Sequence, residues 1–256
     1  MDTTAVQGVG LGIFFNAFVS VVVSLTALAL VVFIFHRWSK LDGIMKSYSI
    51  FWSTVAVIWM CAFIRYVLVA TGVPLLSILP LDYFIQGTIF SSGIILFYYL
   101  GLRITSRTPV AIFWALVSGL LAAVSLVFVF RSEGIVYPGI TYFAADAELN
   151  VVSFGIFAFE VFVAACLLAY DLMTRLKRWR HKLVSETLSN ALYSFGLFLY
   201  ISLAGLDNMK VINDWSLVVF RIFYCGVILF VYIVVVSEEE NKEQFIISAA
   251  LEQKSL

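Results

Sequence analysis

The sequence predicts an all-α integral membrane protein, a seven-transmembrane-helix bundle with its N-terminus outside and its C-terminus cytoplasmic. Three observations carry that prediction. Apolar residues fill 62% of the 256 positions and charged residues only 12%, with a mean hydropathy of +1.03, whereas a water-soluble domain is roughly a quarter charged. Seven stretches reach the ~20 apolar residues that a ~30 Å hydrocarbon core needs at ~1.5 Å per residue. Lys and Arg are sorted onto alternate connections between those stretches.

The spans run over residues 11–35, 48–72, 82–104, 110–131, 150–173, 185–206 and 215–236. Span 1 holds Val21-Val22-Val23 and the apolar run from Leu28 to Phe33, with none of the period-two alternation of a barrel strand. The first 36 residues carry no Lys or Arg, so a signal-peptide n-region is missing and span 1 is expected to be retained. Span 2 ends before Pro74, span 3 opens after Pro80, and Pro109 behind Ser106 and Thr108 is placed to open span 4. All four prolines (Pro74, Pro80, Pro109, Pro138) lie outside the spans or at their edges, so no mid-membrane break of the transporter kind is expected. The longest connection, 132–149, carries Tyr137, Tyr142 and Phe143 and is expected to rest at the interface. After span 7, residues 237–256 form an acidic run followed by a short amphipathic stretch, too short for a catalytic domain.

Orientation follows from the basic residues. Arg37, Lys40 and Lys46 follow span 1; Arg103 and Arg107 end or follow span 3; Arg175, Lys177, Arg178, Arg180 and Lys182 follow span 5. The opposite side has Arg131 and Lys210. Positive residues stay inside, which puts the protein in a plasma (cytoplasmic) membrane as a multi-pass chain.

Several function classes recede. Zero net charge, 16 basic against 16 acidic, argues against a nucleic-acid partner. Cys61, Cys166 and Cys225 lie within spans, and His36 and His181 sit at the cytoplasmic edge, so neither a disulfide nor a metal or haem site is indicated. Span 7 has Arg221 and no lysine, which leaves retinal without a Schiff-base partner. No catalytic motif is present. No cofactor is expected, and an enzymatic role is less favoured than a non-enzymatic one.

Three ionisable residues remain inside the spans, where charge costs about 2.5–3.5 kcal/mol at the centre and is a functional candidate by default. Arg65, Glu160 and Arg221 all fall in the outer half at overlapping depths. Two arginines and one glutamate would leave a surplus positive charge for a small anionic ligand entering from outside. Tyr66, Gln86, Tyr224 and Asn208 are the candidate neutral hydrogen-bonding neighbours. A structural ion pair or arginines snorkelling to headgroups are the competing readings. Whether the three meet in space is not legible from one sequence.

The segment Arg175, Lys177, Arg178, Arg180 and Lys182, with Trp179 among them, fits attraction to anionic membrane headgroups or docking of a protein partner or second copy. Asp171 precedes Arg175 by four residues, the favourable order for a local pair. The expected function is a polytopic, receptor-like sensor with a polar pocket in the outer half of the bundle, signalling through a separate cytoplasmic or membrane partner. The alternatives are a transporter or channel, a non-catalytic subunit of a membrane complex and, less favoured, a lipid-modifying enzyme.

Overall fold

The computed structural model describes residues 3–131, 134–136, 148–182, 185–208 and 219–237. They form an all-helical bundle with seven helices long and apolar enough to cross a membrane, as a multi-pass integral membrane protein has. The helices are α1 (Thr3–Phe35), α2 (Gly43–Ala70), α3 (Leu75–Thr105), α4 (Thr108–Val129), α5 (Val151–Lys182), α6 (Ser185–Asn208) and α7 (Val219–Ser237). The surface is inverted relative to a soluble domain. Leu116, Leu120 and Val127 on α4 and Phe159 and Phe162 on α5 are exposed, an apolar expanse that water would not tolerate.

Local chemistry sets the helix ends. The Asp42 carboxylate accepts the Met45 N–H at 2.7 Å and caps α2. Gly72 takes φ +85° in the tight turn to α3. Ser106, at φ 56°, ends α3 in the left-handed conformation while its N–H bonds the Leu102 carbonyl. Pro109 then sits in the first turn of α4, as the sequence predicts. Asn150 caps α5 through the Ser153 N–H and donates its amide to the Phe128 carbonyl, tying α5 to the end of α4.

Consecutive helices pack side by side, α1 on α2, α2 on α3, α3 on α4, α4 on α5 and α5 on α6. α7 closes the ring: Arg221 reaches α1, Tyr232 packs on Phe33 and Phe230 on Phe195 of α6. Gly101 makes the tightest approach of α3 to α4, since a Cβ there would lie 2.5 Å from the Ala111 Cα. One end of the bundle carries the Gly72 turn; the other, the basic end, carries Arg37, Lys40, Lys46 and Arg107.

Several bounds differ from expectation, α1 and α2 among them, which begin earlier, at Thr3 and Gly43. α3 starts at Leu75, so Pro80 lies inside it rather than outside. At the sixth position the missing N–H costs only one bond near the helix start, and no mid-span break results. α5 continues to Lys182, because Arg, Leu and Lys are strong helix formers and nothing after Asp171 stops them; the basic segment is therefore helix, not loop. Within the long connection, Ile135–Val136 pairs antiparallel with Glu148–Leu149. Tyr137, Tyr142, Phe143 and the tail from 238 onward lie outside the described residues.

Candidate functional site

A cavity of about 210 Å³ lies at the centre of the bundle, walled by five of the seven helices. Trp59 and Ala62 come from α2, Gly93 from α3, Glu160 and Ala164 from α5, Tyr200 and Asp207 from α6, and Arg221 and Tyr224 from α7. The five helices bring these residues together because each turns one helical stripe inward. On α5 the buried stripe is Ser153, Glu160, Ala164, Leu168 and Asp171, a spacing of seven, four, four and three.

Glu160, 6% exposed, accepts a 2.7 Å hydrogen bond from the Ser118 hydroxyl of α4 at its Oε1. Gly93 makes room for the other oxygen: a Cβ there would stand 3.5 Å from Oε2. No Lys or Arg among the described residues forms an ion pair with Glu160. Arg221 donates to Asn16 and to the Ser20 hydroxyl on α1, and to the Tyr66 hydroxyl at 2.6 Å, with its guanidinium 5.4 Å above the Trp59 ring.

Arg65 stands elsewhere. Its Nε donates to Asp82 of α3 at 2.6 Å, both side chains being buried, and it does not line the cavity. The three charges expected as one group are thus divided: Glu160 and Arg221 share the cavity, and Arg65 is neutralised by Asp82, the first residue of the expected span 3. Asp207, just past the end of the expected span 6, lines the cavity. The wall thus carries two carboxyl groups and one guanidinium, where the sequence leads one to expect two arginines and one glutamate together.

The neutral candidates divide in the same way. Tyr224 lines the cavity, Tyr66 serves Arg221, and Gln86 lies one turn beyond Asp82 on α3, away from the cavity, with its Oε1 unbonded among the described residues. The Asn208 side chain lies outside the described residues.

A second buried network occupies the basic end. Arg103, 7% exposed, pairs with Asp171 at 3.3 Å and donates to the Asn190 side chain at 2.8 Å. Asp171 also holds Arg175 at 2.8 Å, the local pair expected from their spacing, and accepts from Ser194. Asp82 and Arg103 are 21 positions apart on α3, about 30 Å at 1.5 Å per residue. The two buried ion pairs therefore stand one hydrocarbon thickness apart.

Aromatic rings join the cavity to that network without a gap. From Arg221 the string runs to Trp59 (5.4 Å), Tyr224 (4.9 Å), Tyr200 (5.3 Å), Trp52 (5.1 Å), Tyr48 (6.0 Å), Tyr99 (5.4 Å) and Arg103 (6.0 Å). Trp59 Nε1 also donates to the Tyr200 hydroxyl at 3.3 Å. Beyond the network, Lys177 and Arg178 are exposed on the last turns of α5, while the side chains of Arg180 and Lys182 fall outside the described residues.

Sequence reasoning missed Asn16, Asp82, Arg103, Ser118 and Asn190. Stripe membership was the available signal for Asp82 and Arg103, which lie in register with Gln86, Phe90, Phe97 and Leu100 on the buried face of α3. Comparison with protein-family models, with curated proteins and with solved structures found no match.

Proposed function

We propose that the chain is a receptor-like membrane sensor. A small molecule enters the central cavity from outside, and the resulting helix shift is read at a cytoplasmic basic end by a separate protein. The observation that carries this reading is the unbroken aromatic string from Arg221 on the cavity wall to Arg103 in the basic-end network. Close-packed rings cannot deform gradually, so displacing Tyr224 or Tyr200 forces their neighbours to another packing. The excess of Lys and Arg at the basic end supports its cytoplasmic placement. Exposed Lys177 and Arg178 suit anionic headgroups or an acidic partner surface there.

A cavity-filling substitution tests the coupling without a known ligand. Spin labels are placed at Arg107→Cys and Arg178→Cys in a background lacking Cys61, Cys166 and Cys225. Ala164→Phe is expected to shift the label separation by about 2 Å, in the range of helix shifts seen in switching proteins. An unchanged distance in a folded Ala164→Phe protein would overturn the coupling. Net solute flux through reconstituted protein would instead support transport.

A further inference from the structure

We propose that the central cavity takes a small aromatic ammonium ion, with its ring against the aromatic wall and its charged nitrogen on Glu160. This rests on the cavity being a ligand site, and the charge and shape of the wall then select the ligand.

Charge comes first. The ionic side chains on the wall are Glu160, Asp207 and Arg221, and Glu160 is the carboxylate whose charge a bound cation would compensate. Arg221 is held by Asn16 and Ser20 of α1 and Tyr66 of α2. Glu160 has the Ser118 hydroxyl on one oxygen and no ion pair among the described residues. A buried carboxylate without a cation is costly, and a ligand of charge +1 supplies the compensation.

Shape comes second. Trp59, Phe90, Phe97, Phe157, Tyr200 and Tyr224 present rings to the cavity. Their faces attract ammonium groups and stack on arenes. An apolar cavity of about 150 Å³ holds benzene, and the 210 Å³ here leaves room for an aminomethyl group beside the ring. Glu160 and Gly93 both line this space.

One scaffold in three charge states tests the proposal: benzylamine, benzyl alcohol and benzoate, titrated calorimetrically into the full chain in phosphatidylcholine nanodiscs. The Ala164→Phe protein supplies the background for lipid partitioning. Benzylamine is expected to bind saturably, at least about tenfold more tightly than benzyl alcohol, with benzoate at background, as a charge-assisted hydrogen bond implies. Glu160→Gln, which preserves shape and the Ser118 contact, should remove the preference for benzylamine over benzyl alcohol.

Each other outcome counts against the proposal. Benzoate binding best would make Arg221 the anchor and overturn the charge assignment. Benzyl alcohol and benzylamine binding equally would leave the cavity as a ligand site but remove the ammonium. Binding of none above the Ala164→Phe background would end both this proposal and the ligand-site reading beneath it.

Discussion

Ser118 on α4 donates a 2.7 Å hydrogen bond to Glu160 on α5, and that contact sets one carboxylate oxygen against a helix while the other faces Gly93 at the cavity. It adds a side-chain link between α4 and α5, which Asn150 and Ser153 also join through the Phe128 and Ser125 carbonyls. A double-mutant cycle of Ser118→Ala and Glu160→Ala, read by thermal unfolding in mild detergent, should give a coupling of about 1–3 kcal/mol. Additive effects would mean that Ser118 does not orient Glu160.

Two glycines on α3 should respond with opposite signs to the same change. Gly93→Ala places its methyl 3.5 Å from Glu160 Oε2, an ordinary contact, and should stabilise by up to about 1 kcal/mol through helix propensity. Gly101→Ala drives a methyl to 2.5 Å from the Ala111 Cα, so α3 and α4 must part, at about 1–3 kcal/mol. Paired melting curves check both.

The buried pair between Arg65 and Asp82 makes breaking and replacing it unequal. Asp82→Asn should cost about 3–5 kcal/mol, because Arg65 keeps its charge without its carboxylate. Arg65→Met combined with Asp82→Leu should recover most of that loss. If the double variant is as unstable as the single, the pair has a role beyond its own charge balance.

Along the last turns of α5, neighbouring cations should behave differently. Arg175 is held by Asp171 at 2.8 Å, so Arg175→Gln should lower stability and barely change lipid binding. Lys177 and Arg178 are exposed, and removing each should lower enrichment of anionic lipid by about fivefold, from about 1 kcal/mol per basic residue. Native mass spectrometry of co-purified lipid separates these outcomes, and the lipid effect should weaken in high salt.

Helix number and span positions were legible because bilayer thickness imposes a length that apolar runs display directly. The site was legible only in part. Arg65, Glu160 and Arg221 announced themselves as charges inside apolar runs, but their partners did not. Asp82 and Asp207 fall near span ends, where a carboxylate reads as solvated, and Arg103 reads as an orientation signal. Each turned out to lie on an inward stripe, and burial is set by the rotation of a helix against neighbours that a single sequence does not specify. The same limit hid Ser118 and Asn16, polar residues too common in apolar helices to stand out.

In the proposed mechanism, occupancy of the cavity is felt at the basic end. The most direct measurement is the separation of spin labels at Arg107→Cys and Arg178→Cys in nanodiscs, followed as benzylamine is added. A saturable shift of about 2 Å is expected, with a midpoint matching the calorimetric affinity and no response in the Ala164→Phe protein. Saturable binding with an unchanged distance distribution would contradict it, leaving a cavity that binds without signalling.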